Sequence, residues 1–252
     1  MSISVDPAWI EAVLLAVVRM TAFVVIAPPF SYNGIPLRVK AMLAVGLGLA
    51  VSPAVSHGFH VPSTGGFIVD LVLEALVGAV LGFLVMLVFA AVQSAGSLID
   101  MFGGFQMAQG FDPQAMVNGA QFTRLFQMTA IALLFASDGY QLIIGGLTRS
   151  FTALPIGAGL DLSAPVKAMT DAVTQMFVAS LQIAGPLVIV LFLADAGLGL
   201  LTRVAPALNA FAMGFPLKIL ITLALGGVVF LALPRVIASL TGHAVGDLMG
   251  VG

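Results

Sequence analysis

Residues 67–92 read FIVDLVLEALVGAVLGFLVMLVFAAV, and no charged residue stands between Glu74 and Asp100. A helix needs roughly 20 predominantly apolar residues to cross about 30 Å of hydrocarbon. This run exceeds that length, and it is too long and too unbroken for the alternating strand of a membrane barrel. In lipid or in a dry protein interface the backbone must satisfy its own N–H and C=O groups, so the run is expected to be helical.

Working outward, five more stretches qualify, at about 8–27, 39–56, 120–136, 170–194 and 216–233. A further apolar stretch, 139–154, is short and interrupted by glycine, as in a re-entrant segment or one arm of a hairpin. The expected fold is an all-α integral membrane protein with about six long apolar helices and a short re-entrant-like segment. Composition agrees. Apolar residues make up 60% of the 252 and charged residues 8%, where soluble domains carry roughly 25% charged residues. The mean hydropathy is +1.16. A net charge of −2 supplies no general basic surface, so nucleic acid is not an expected partner.

The chain has no cysteine, which removes disulfides and thiolate metal sites. His57 and His60 are close in sequence but have no third ligand near them, and no metal or cofactor is expected. The opening, MSISVDPAWIEA, has Asp6 and Glu11 but no Lys or Arg before its apolar run, so the first segment is expected to be retained rather than cleaved. With the N-terminus outside, Arg38, Lys40, Arg124, Arg203 and Lys218 fall in inside loops. Arg149, Lys167 and Arg235 then fall outside, a mild preference for that orientation.

GIPLRV at 34–39 is echoed by GFPLKI at 214–219, each ahead of an apolar helix. Pro suits the first turn, where its missing N–H costs nothing. The echo is either the usual way such helices begin or the trace of a duplicated hairpin.

Several polar residues stand where lipid would exclude them. Arg19 lies midway along the first segment, where a central Arg costs about 2.5–3.5 kcal/mol on insertion scales. Glu74 lies one turn after Asp70 within the third. Asp195 and Arg203 are eight apart, slightly over two turns, and would share a helix face. Such residues face a partner or a wet cavity. They form either fixed ion pairs that orient helices within the chain or contacts between subunits. A proton relay would need a chain of closely spaced titratable groups, and none is evident. GVVF, GGFQ and GLGL lack the following Lys-Ser/Thr of a phosphate loop, and no metalloprotease helix or nucleophile elbow appears. SAGS at 94–97 reads as small residues for close helix packing.

The run 195–218, DAGLGLLTRVAPALNAFAMGFPLK, resembles the signature of the FliR family, the flagellar members of the type III export gate. Asp195, Leu198, Gly199, Arg203, Pro206, Asn209, Phe211, Gly214, Phe215, Pro216 and Lys218 fit the pattern. Ala207 and Ala210 replace its usual Gln and Val. RMTAFVVIAPPFSYNGIPLRVK at 19–40, GFDPQ at 110–114 and RSFTALPIG at 149–157 resemble further family segments, in order along the chain. The Gly-Phe-Pro-Leu-Lys form leans toward the flagellar branch rather than the injectisome T component.

The resemblance implies assembly with FliP and FliQ, with FlhB around the gate and FlhA below it. It implies a location in the inner membrane at the flagellar basal body and passage of unfolded export substrates. It implies helices bent as hairpins, with a FliP-like half over 1–165 and a FliQ-like hairpin over 166–252. It also implies that Arg19, Glu74, Asp195, Arg203, Asn209 and Lys218 serve assembly or helix orientation. Finally, it implies that the loop after the third helical stretch enters the pore and helps to plug it. The residues there suit a seal. DMFGGFQMAQGFDPQAM at 100–116 is neither a polar loop nor a plain span. Met101, Phe102, Phe105, Met107, Phe111 and Met116 would fill a narrow lumen, since Met adapts to irregular gaps. Gly103, Gly104 and Gly110 would let the backbone turn tightly. Asp112 precedes Pro113 and so avoids the helical region. A hydrophobic constriction of this kind blocks ions by dewetting. The alternative from another class is a secondary transporter of a small solute, with Arg19 and Glu74 as its midplane site.

Overall fold

Asp6 accepts a hydrogen bond through Oδ1 from the Ala8 N–H at 3.0 Å, and Pro7 occupies the first helical position. A side-chain cap followed by proline is a strong helix start, and α1 (Pro7–Ile26) follows from it. Its buried face is spaced by three and four, through Ala12, Leu15, Ala16, Arg19, Met20 and Phe23. Ala27 turns to an extended conformation ahead of Pro28 and Pro29, which ends the helix.

The computed structural model describes residues 6–57, 59–105, 121–157, 163–205 and 210–248. Among them every regular element is an α-helix. After α1 come α2 (Leu37–Ala50), α3 (Ser52–Ser56), α4 (Thr64–Phe102), α5 (Gln121–Ala136), α6 (Gly139–Ala153), α7 (Ser163–Val204) and α8 (Ala210–Leu248). Four helices, α1, α4, α7 and α8, are long and apolar enough to cross a membrane; α5 and α6 make a fifth only as a broken pair. The chain is an all-α integral membrane protein.

Two differences from the sequence reading have local causes. The apolar stretch 39–56 is divided at Val51, because Pro53 has no N–H and its ring would clash with the carbonyl four residues back in a continuous helix. That leaves α2 with 14 residues, about 21 Å and short of a span. The second copy of the echo does not begin a helix. Pro216 lies inside α8, which starts at Ala210, as Pro186 lies inside α7. Neighbouring helices let apolar helices tolerate such prolines. The three longest helices outrun their apolar cores. At 39, 42 and 39 residues they reach about 58–63 Å.

The helices form two compact units. The first comprises Met1–Leu87, Asp138–Val173 and Thr241–Gly252, and so holds α1–α3, the first part of α4, and α6. In it α4 crosses α1 backbone to backbone. A Cβ on Gly78 would collide with the Arg19 carbonyl oxygen, and one on Gly82 would lie 3.2 Å from the Phe23 carbonyl oxygen. Gly78 and Gly82 form a Gly-x-x-x-Gly seam, the spacing that brings helices close in membranes.

The second unit comprises Val88–Ser137 and Thr174–Leu240. Here Gly96, from the SAGS run, sets α4 against α5: an added Cβ would lie 2.7 Å from the Thr123 Cα. Phe177, Leu181, Phe192 and Leu193 of α7 and Leu220, Leu223 and Leu231 of α8 are exposed, as expected of helices that meet lipid or partner subunits rather than water.

Candidate functional site

The last turn of α4 and the first turn of α5 meet at one point. The Asp100 side chain is fully buried. Its Oδ1 accepts the Phe122 N–H at 3.0 Å, and its Oδ2 accepts the Thr123 N–H and the Thr123 hydroxyl, each at 2.8 Å. The first four N–H groups of a helix have no partner within it. A carboxylate from another helix satisfies two of them here.

An aromatic row continues from that point. Phe105 meets Phe122 with ring centroids 5.3 Å apart, Phe122 meets Phe126 at 6.1 Å, and Phe126 meets Phe230 of α8 at 5.0 Å, all edge to face. This arrangement suits the ring quadrupoles better than a flat stack. Between Asp100 and Phe105 the chain leaves its helix. The Gly103 N–H closes the last turn on the Ile99 carbonyl at 2.7 Å. Gly104 has φ +82°, a left-handed conformation that glycine adopts without strain, and a Cβ there would press on the Phe215 ring at 3.3 Å. Gly103 lies against the Thr222 hydroxyl.

Of the sequence-derived seal residues, the structure places Met101 and Phe102 in the last turn of α4, Met101 half exposed and Phe102 half buried, with Gly103, Gly104 and Phe105 just beyond. Met107, Gly110, Phe111, Asp112, Pro113 and Met116 lie outside the described residues, as does Asn209. Asp100, Phe122, Thr123, Phe126 and Thr222 were not singled out from the sequence. Asp100 had a signal, as the lone carboxylate that closes a long charge-free run. The others carry no local mark, because their role depends on which helix they meet.

A second polar cluster lies in the first unit. Arg19 is 1% exposed and Glu74 is 4% exposed. Arg19 Nε and Nη2 donate to the two Glu74 oxygens at 2.5 and 3.0 Å, a bidentate pairing. Nη1 donates to Ser150 Oγ at 3.2 Å, and Nη2 also donates to the Leu154 carbonyl at 2.8 Å. The guanidinium carbon lies 4.1 Å from the centre of the Phe151 ring, a cation–π contact. One Arg thus joins α1, α4 and α6 through four hydrogen bonds to protein groups. A solute site would need such donors free, so the cluster does not favour the transporter reading.

In the second unit Asp195 pairs with Lys218 of α8 at 2.7 Å. Arg203, two turns on from Asp195, is exposed. Asp195 and Arg203 lie on one helix, α7, and the ion pair of Asp195 runs to Lys218 on α8.

The family described as "Bacterial export proteins, family 1" matches residues 10–244. The chain is similar to the flagellar biosynthetic protein FliR of Escherichia coli (strain K12), 32% identical over 96% of this chain and 92% of that protein. It is similar to FliR of Bacillus subtilis (strain 168), 28% identical over 84% of this chain and 83% of that one. It is also similar to the Yop proteins translocation protein T of Yersinia pestis, 29% identical over 79% and 78%.

Proposed function

We propose, from the premise that this chain belongs to the bacterial export proteins, family 1, that it is a pore component of a flagellar type III export gate. In this reading it assembles with FliP and FliQ, is flanked by FlhB and FlhA, and passes unfolded flagellar subunits across the inner membrane at the basal body. It is a structural component and carries out no catalysis. The carrying observation is the likeness to flagellar relatives over nearly the whole chain, 32% identical across 96% of it. The exposed apolar faces of α7 and α8 support a protein that completes its packing with partner subunits. The division into a FliP-like half over 1–165 and a FliQ-like hairpin over 166–252 belongs to the same reading.

The segment that leaves α4 at Phe102 and returns at Gln121 is read as the movable seal of the closed pore. Its support is the richness of 101–116 in Phe, Met and Gly, together with the built base at Asp100 and Phe122. Deleting 106–116, or replacing its Phe and Met with Ser, in the assembled complex is expected to raise ion conductance across the membrane. An unchanged leak with assembly intact would sink the seal. Co-purification with FliP and FliQ in fixed, unequal copies tests the gate itself, and solute uptake by this chain alone would overturn it. The second reading, an injectisome T component, is supported by the likeness to the Yersinia pestis protein. Restoring motility to a strain lacking its FliR separates the two.

A further inference from the structure

We propose that Asp100 is a positioning residue that fastens the exit of the chain from α4 to its re-entry into α5, so that everything between leaves and returns through one fixed base. The proposal rests on the reading of 102–120 as the seal, and it says how that seal is held in place.

Three observations carry it. First, the Asp100 carboxylate is fully buried, and every hydrogen bond seen for it comes from the first turn of α5. Second, its position makes no sense for α4 alone. A carboxylate in the last turn of a helix faces the negative end of that helix's dipole, whereas at the start of a helix it faces the positive end. Asp100 is misplaced for α4 and well placed for α5. Third, in the sequence Gln121 follows Ala120, a residue type without a side-chain oxygen. The carboxylate that caps Phe122 and Thr123 comes from more than 20 residues back along the chain, 22 in the case of Phe122. Each donor satisfied therefore also ties two helices together, which a local Ser or Asp would not do. The Gly96 crossing and the Phe105–Phe122 contact lie on either side of the carboxylate, so the fastening is set between a backbone contact and an aromatic one.

The test separates capping from fastening. In Asp100→Ala the imported cap is lost. In Asp100→Ala with Ala120→Asp, a local cap replaces it and the tie between helices stays absent. The chain has no cysteine, so spin labels at Ser97→Cys and Leu125→Cys, both exposed positions outside the seal, report the spacing of the two ends. Pulsed electron-spin distances are measured in the complex assembled with cysteine-free partners. Ion leak is recorded on the same complexes.

The parent is expected to give a narrow distance distribution. The double substitution is expected to assemble like the parent yet give a broad one, with a leak raised roughly five- to thirty-fold, the population shift that losing a tie between helices of about 1–2 kcal/mol produces. Parental distances in the assembled double variant would overturn the proposal, because capping alone would then explain Asp100. A broad distribution with a parental leak would support the fastening and overturn the seal reading on which its purpose depends.

Discussion

The first unit and the second each join helices through an ion pair, and the two pairs are opposite in kind. Arg19 and Glu74 are buried, bidentate and supplemented by Ser150, the Leu154 carbonyl and the Phe151 ring. Lys218 and Asp195 have one contact, and the Asp195 side chain is 45% exposed. Removing one partner of a buried pair strands a charge, whereas an exposed pair is worth about 0–1 kcal/mol. The difference teaches where this fold is committed. The first unit has a locked ion pair at its centre, while the second is held by aromatic rings, glycine crossings and the buried Asp100 carboxylate, with its ion pair nearer the surface.

The largest effect should come from breaking the locked centre. Glu74→Ala leaves the Arg19 guanidinium buried without its carboxylate and should cost about 3–5 kcal/mol. Thermal melting of the purified complex in detergent would show it. Replacing both residues, Arg19→Met with Glu74→Leu, should recover most of the loss, since apolar substitutes for a whole buried pair are often neutral. A double variant no better than Glu74→Ala would mean that the pair does more than satisfy itself.

Gly78→Val is next. The new side chain would force α4 away from the Arg19 carbonyl and thereby disturb the same centre, an overpacking cost of about 1–3 kcal/mol. Reduced yield of assembled complex, with Gly145→Val as the open-space control, would report it. Ser150→Ala should cost about 1.5 kcal/mol, the low end for a hydrogen bond to a charged group, and should leave the Arg19–Glu74 pair in place. Melting measured in both the wild-type and the Glu74→Ala backgrounds would give the coupling directly. The smallest effect is expected from Lys218→Gln, at most about 1 kcal/mol in stability. If that variant melts like the parent but loses assembly with its partners, the surface pair serves contact between subunits. If it loses as much stability as Glu74→Ala, the contrast between the two units fails.

Much of this architecture was legible one segment at a time. The charge-free run before Asp100 announced α4. SAGS announced a close crossing, which Gly96 makes with α5. The GAVLG seam at 78–82 was equally present in the letters, although nothing local says which helix it meets. The echo at 214–219 misled about a helix start, because a proline that suits a first turn is also tolerated within a helix supported by its neighbours. The proposed seal rests on composition and on resemblance, and only Met101 to Phe105 of its residues fall among the described ones.

By itself the sequence determined the class of molecule, the helical segments and the family, because each follows from short-range properties: apolar run length, caps, prolines and a chain of motifs in order. Only the tertiary structure decided the partners. Arg19 takes Glu74 from 55 residues away and Ser150 from 131. Asp195 takes Lys218 from the next helix, and Asp100 takes the first turn of α5. A charge in an apolar helix must find a partner, and its identity shows that it must. Which partner it finds depends on where the helices cross, and glycines set those crossings by letting backbones approach at points no single segment marks.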